Sequence, residues 1–118
     1  MIIGCPKEIK PQEFRVGLTP NAAREAIANG HEVLIESNAG TGAGFDDQQY
    51  LEAGAKIIDT AEEIFATAEM IVKVKEPQAV ERAMLREKQI LYTFHDVIPN
   101  QKRECNIYLK AKRPFTYR

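Results

Sequence analysis

Apolar and polar positions along this chain follow two alternating patterns. Short, almost wholly apolar runs recur at 1–5, 32–36, 56–58, 70–74 and 89–94, the third being the weakest. Runs of this length and character suit strands buried on both faces. Helical patterns fill the gaps between them. Thr19-Pro20 places a capping hydroxyl before a proline at the first helical position. Ala22, Ala23, Ala26 and Ile27 then recur at helical spacing, and Gly30 closes the segment. Asp46 caps a short helix that runs through Tyr50 and Leu51 to Gly54. Thr60 and Glu63 form a capping-box pattern ahead of Ile64 and Phe65, and Pro77 opens a helix with Val80, Ala83 and Met84 on one face. Strands alternating with helices predict an α/β fold, a three-layer domain with a mostly parallel sheet. There is no internal repeat and no low-complexity tract.

Length and charge refine this picture. A chain of 118 residues, 44% hydrophobic and 28% charged, is a single-domain length with ordinary globular composition. Its net charge of −1 gives no electrostatic ground for nucleic acid or an anionic membrane as partner. The charge is nevertheless uneven. Residues 101–118 carry six basic residues against one acid (+5), and the first 100 carry ten against sixteen (−6). The expected division is a domain over 1–94 and a divergent, basic, irregular tail over 95–118. Cys5 and Cys105 lie 100 residues apart without a CxxC spacing, so they read as two reduced thiols. With no signal segment and no bilayer-length apolar run, a cytoplasmic protein without a metal site is expected.

Several residues could carry chemistry. The cluster Gly40-Thr-Gly42-Ala-Gly44 has the wrong spacing for a dinucleotide fingerprint, and Asp46-Asp47 after it would repel a pyrophosphate. It reads as a flexible loop. Arg15 follows the first strand, where open α/β sheets bind ligands, and a guanidinium there can grip a carboxylate through two parallel hydrogen bonds. Lys73 and Lys75 alternate along the fourth strand, and Lys75, nearer its end, is the better candidate. A lysine at the end of a buried strand is costly unless it has an anionic partner or reaches water. His95 directly follows the fifth strand and could act as general acid or base. His31 lies at a helix-to-strand turn on the opposite edge and takes no role. Glu8, Glu13 and Glu76 read as ion-pair or surface groups. Taken singly, Arg15, Lys75 and His95 are each read as a solvated side chain. Together they converge on one sheet edge and point to a small anionic ligand.

The same segments carry a family resemblance. The opening Met-Ile-Ile-Gly-Cys-Pro-Lys-Glu-Ile-Lys, then Glu-Phe-Arg-Val-Gly-Leu-Thr-Pro, Asn29-Gly-His-Glu-Val, Gly44-Phe-Asp-Asp, Ala53-Gly-Ala and Ile71-Val-Lys-Val-Lys-Glu-Pro77 resemble the start of alanine dehydrogenases. The resemblance runs nearly without gaps over 1–94. The alpha subunit of proton-translocating transhydrogenase has a similar opening but usually lacks the full Val-Lys-Glu-Pro stretch, and saccharopine dehydrogenases are more distant. The resemblance implies a Rossmann-like substrate domain and the reversible conversion of L-alanine, NAD and water to pyruvate, ammonium and NADH. It implies that Arg15 and Lys75 hold the carboxylate and carbonyl oxygen of the small-molecule substrate, and that a histidine at or near His95 is the acid/base. The glycine fingerprint for NAD and an assisting aspartate belong to a domain beyond this chain, so no cofactor is expected to bind here and the chain alone is expected to be inactive. It also implies a homo-oligomer.

One departure stands out. The family reads aromatic-Leu-His-Leu-Ala after the fifth strand, whereas Phe94-His95-Asp96-Val97 brings the histidine one residue early. One residue in a strand turns a side chain to the other face. Beyond Lys102 the family's helix and sixth strand are not recognisable, which suggests a truncation or a frameshift. Two other functional readings stay open: a non-redox small-molecule-binding or oligomerisation module, and a transhydrogenase-type fragment acting with a membrane partner.

Overall fold

The computed structural model describes residues 1–95, 104–109 and 114–117. The elements run β1 (Ile2–Cys5), α1 (Pro20–Ala28), β2 (Glu32–Glu36), a 3-10 turn (Thr41–Ala43), α2 (Asp47–Glu52), β3 (Lys56–Ile58), α3 (Ala61–Thr67), β4 (Met70–Lys73), α4 (Ala79–Met84), β5 (Ile90–His95), β6 (Glu104–Leu109) and β7 (Pro114–Tyr117). One sheet in the order β3-β2-β1-β4-β5-β6-β7 holds all the strands. Its first five strands are mutually parallel, and β6 and β7 are added antiparallel. The α/β, mostly parallel sheet expected from the apolar runs is the sheet observed.

Strand alternation sorts the core into two halves. Ile3, Cys5, Val33, Ile35 and Val72 face one side, where Ala23 of α1 and Tyr50 of α2 complete the packing. Leu34, Ile71 and Leu91 face the other, against Ile64 and Phe65 of α3, with Met84 of α4 partly buried beside them. Consecutive residues of a strand point to opposite faces, so apolar runs without polar interruption are what a sheet covered on both sides requires. Local chemistry sets the helix ends. Thr19 Oγ1 accepts from the Ala22 N–H (3.1 Å), Asp46 and Gln49 exchange both bonds of a capping box, and Thr60 accepts from the Glu63 N–H (3.3 Å). The buried Tyr50 hydroxyl donates to the Leu18 carbonyl (2.6 Å), tying α2 to the approach of α1.

Four details differ from the pattern-based expectation. β4 stops at Lys73 rather than 74, because the Val74 N–H donates to the Glu8 carboxylate (2.8 Å) and leaves the ladder. Helix α4 begins at Ala79 rather than Pro77. Gln78, extended at φ −77°, ψ 169°, is its cap residue, and its N–H donates to Glu81 Oε1 (2.8 Å). Strand β5 runs on through His95. Within the tail expected to be irregular, residues 104–109 and 114–117 are strands. The physical reason is the edge of β5, a row of ladder groups in need of partners. β6 pairs with it from Ile90↔Leu109 to His95↔Glu104. The period-two order of Cys105, Ile107 and Leu109 was the available signal, masked by the basic bias around it.

Gly4 lets α3 lie directly on β1. A Cβ there would stand 2.6 Å from Ile64 Cγ2 and 2.8 Å from Ala68 Cβ. Gly4→Ala should therefore destabilise the fold by about 1–3 kcal/mol through overpacking. Urea denaturation measures this, and a variant as stable as the parent would contradict so close an approach.

Candidate functional site

The strand order reverses direction between β1 and β4, each of which starts a connection to opposite sides of the sheet. Open α/β sheets bind ligands at such a switch point, outside the carboxyl ends of the strands. The loops leaving β1 and β4 meet there. Residues 10–15 and Lys75 line a depression of about 400 Å³. A neighbouring one of about 300 Å³ shares residues 12–15 with it and reaches Asn38 and Gly42.

The β1–α1 loop is shaped for this position. Pro11 and Gln12 occupy the centre of a turn closed by the Glu13 N–H donating to the Lys10 carbonyl (3.1 Å). Gln12 is left-handed at φ 63°, as a turn with proline second and a positive φ third demands. Farther on, the loop presses against β4. A Cβ on Gly17 would stand 2.6 Å from the Val72 carbonyl oxygen and 3.0 Å from Lys73 Cα, so only glycine fits there. Lys10 also pairs with Glu76 across the two loops.

Arg15 and Lys75 are thus brought to one depression, as the sequence suggested. Arg15 does not stand bare in it. Its Nε donates to Glu13 Oε2 (3.0 Å) and its Nη2 to Glu13 Oε1 (2.7 Å), a two-pronged pair that sets the guanidinium plane. Glu13 is held well below the usual carboxylate range, at about 2, chiefly by those side-chain hydrogen bonds, with the Lys75 charge adding a smaller pull. The Lys75 ammonium makes no hydrogen bond or salt bridge among the described residues, while its backbone is bound at both ends. His95 is the last residue of β5, at the same carboxyl edge of the sheet, but its side chain lies outside the described residues. His31 stands at the opposite edge, where Nδ1 receives the Met1 ammonium (3.1 Å).

Lys73, ranked below Lys75 from the sequence, is the residue the pattern undervalued. It is 1% exposed. Its Nζ donates to Glu8 Oε1 (2.8 Å) and to the Lys75 carbonyl (3.2 Å), and lies 3.5 Å from Glu81 Oε2. Burial pushes the Glu81 carboxyl upward, against the Gln78 N–H and the Lys73 charge. Glu8, Glu13 and Glu76 are all ion-paired, as anticipated, but Glu8 is a buried anchor rather than a surface group. A lysine within an apolar strand was the signal, since it required either a buried acid or a path to water. Sequence alone offered several acids and no means of choosing among them.

The described residues do not fit a dinucleotide. The glycine cluster forms the 3-10 turn, with Gly42 packed against Phe14, and Asp46 caps a six-residue helix directly after it. No group of three or more potential metal ligands occurs among the described residues. No described helix is long and apolar enough to cross a membrane. Cys5 is buried, and that burial pushes its thiol up to about 12, so it offers no nucleophile.

A family model described as alanine dehydrogenase/PNT, N-terminal domain, matches residues 4–113. The chain belongs to this family. An alanine dehydrogenase of Methanococcus maripaludis is 48% identical over 99 residues, which is 84% of this chain and 26% of that protein. A solved L-alanine dehydrogenase superposes with a TM-score of 0.77 at 50% identity, covering 80% of this chain and 26% of the other. A transhydrogenase from Sinorhizobium meliloti superposes equally well, TM-score 0.77, at 32% identity over 85% of this chain and 28% of that one. The chain therefore spans about a quarter of the length of the alanine dehydrogenases it matches. Within the family domain, the matched region includes Arg15, Lys73 and Lys75.

The Glu13–Arg15 pair carries a pH signature. The Glu13 pKa lies below its ordinary 4.5 in the folded domain, so its contribution to stability is fully present above about 4.5 and is lost as pH falls through about 2. Urea midpoints of the parent should decline across that interval, and Glu13→Gln should flatten the decline. Parallel profiles for parent and variant would mean that the pair does not form.

Proposed function

We propose that this chain is the substrate-side domain of an NAD-dependent alanine dehydrogenase and holds the carboxylate of pyruvate or L-alanine between Arg15 and Lys75. The observation that carries this reading is the convergence of both cations on one depression at the switch point of the sheet, with residues 10–15 forming its wall. A guanidinium fixed in plane by Glu13 suits a two-pronged contact with a small carboxylate, and an ammonium beside it suits the carbonyl oxygen. His95, at the carboxyl end of β5, is the candidate acid/base in this reading. The nicotinamide would be supplied by a further domain, since hydride transfer needs cofactor and substrate in near contact. The chain by itself is expected not to turn over alanine.

The family domain also occurs in transhydrogenases. The alanine dehydrogenase reading is favoured by 48–50% identity against 32% for the transhydrogenase structure. Phe14 (65% exposed) and Ile9 (48% exposed) stand on the loop that rims the depression, apolar area of the kind a second domain or subunit covers. Self-association of the isolated chain and a homo-oligomeric whole enzyme are part of the proposal, as is the cytoplasmic location expected for reduced thiols.

Titration of the 118-residue chain with pyruvate, followed by NMR, tests the reading. Arg15→Lys and Lys75→Ala should each weaken binding about ten- to hundredfold, the worth of a charge-assisted hydrogen bond. His31→Ala should leave binding unchanged. Unaltered affinity in both the Arg15 and Lys75 variants, or NAD-dependent alanine turnover by the chain alone, would overturn the assignment.

A further inference from the structure

The peptide of Lys75 sits just past the end of β4, where the ladder no longer supplies hydrogen-bond partners. Three side chains from three strands or their loops supply them instead. Glu8, on the loop after β1, accepts from the Lys75 N–H through Oε1 (3.3 Å) and from the Val74 N–H through Oε2 (2.8 Å). Lys73, on β4, donates from Nζ to the Lys75 carbonyl (3.2 Å). Thr93, on β5, has its hydroxyl 3.0 Å from the Lys75 carbonyl and 3.1 Å from that of Val74. Glu8 Oε1 and Lys73 Nζ are in turn bonded to each other at 2.8 Å. Thr93 and Lys73 are paired across β4 and β5, and Glu8, Lys73 and Thr93 are all buried.

An ion pair that merely braced the core would join side chain to side chain. Here each partner of the pair also holds the peptide that bears the candidate ligand-binding ammonium. Glu8 belongs to the same loop as Arg15, so one carboxylate links the backbones of both cationic anchors. Gly17 adds a second link, since the loop lies against Val72 and Lys73 at that point with no room for a Cβ.

We propose that Glu8, Lys73 and Thr93 form a clamp on the Lys75 peptide that sets where the Lys75 ammonium stands relative to Arg15. These three are positioning residues for the carboxylate site; they act through Lys75 and do not touch the ligand. The inference rests on the proposed pyruvate or alanine site and adds what holds that site in register. A displacement of about 1 Å at such a site is enough to lose much of its selectivity for a planar ligand.

The test uses the 118-residue chain in four forms: parent, Thr93→Val, Thr93→Ser, and the double variant Glu8→Gln with Lys73→Met. The double variant removes the Glu8 and Lys73 charges together, so neither is left without the other, and Glu81 keeps its bond from the Gln78 N–H. Two quantities are read by NMR: amide hydrogen exchange at Val74 and Lys75, relative to Val33 and Ile35 in β2, and the dissociation constant for pyruvate. Thr93→Val and the double variant should speed relative exchange at Val74 and Lys75 about tenfold and weaken pyruvate about tenfold, the loss of one net hydrogen bond. Thr93→Ser, which keeps the hydroxyl, should restore both. Exchange and affinity within twofold of the parent in Thr93→Val would overturn the clamp. Faster exchange with unchanged pyruvate affinity would reduce the cluster to a structural brace and also overturn it. A parent chain that binds no pyruvate would defeat the functional reading, leaving exchange to judge the clamp. If the double variant does not fold, the Thr93 pair decides.

Discussion

A lysine ammonium buried inside an apolar strand is the constraint on which the candidate site depends. Lys73 is 1% exposed, and a charge so placed is tolerated only when every donor is satisfied. Glu8 and the Lys75 carbonyl accept from its ammonium, the Glu81 carboxylate lies 3.5 Å away as a second ion-pair partner, and Glu8 also accepts from the amides of Val74 and Lys75. Meeting that demand pulls the loop after β1 across the end of β4, stops β4 one residue early and anchors the start of α4 through Glu81. Removing one partner of such a pair would leave an uncompensated buried charge at a cost of about 3–5 kcal/mol. The pair is thus better understood as specifying one arrangement of the loops than as a source of net stability.

Placement at the switch point gives that arrangement its chemistry. β1 and β4 are neighbours whose connections run to opposite faces of the sheet, so the crevice at their carboxyl ends cannot be filled by either connection. The sheet is closed on both faces by helices, which forces polar function to the strand ends. On the proposed reading, the two cations gathered there, one oriented by a carboxylate and one mounted on a clamped peptide, form a receptor for a small planar anion.

Much of the fold was legible because local signals agreed. Val33-Leu34-Ile35, Thr19-Pro20 and Asp46 through Gln49 each encode an element without reference to anything distant, and all appear where the pattern places them. The convergence of Arg15 and Lys75 on one depression was legible for a related reason: strand ends are marked in sequence. The partnership of Glu8 with Lys73 was not, because it joins residues 65 positions apart, and nothing local distinguishes Glu8 from Glu13 or Glu76. The end of β4 and the start of α4 were misplaced by one or two residues for the same cause. Both are set by long-range or capping hydrogen bonds to glutamates rather than by apolar periodicity. The strands at 104–109 and 114–117 escaped notice because their pairing depends on the edge offered by β5, while charge bias dominated their composition.

Crystals of the 118-residue chain grown with saturating pyruvate would test most directly whether two clamped cations at the switch point form the receptor. The predicted result is a carboxylate seated between the Arg15 guanidinium and the Lys75 ammonium, beside residues 10–15, with Glu8 still bonded to Lys73 and to the amides of Val74 and Lys75. Pyruvate bound at another part of the surface, or bound between Arg15 and Lys75 with Glu8 turned away from those amides, would contradict it.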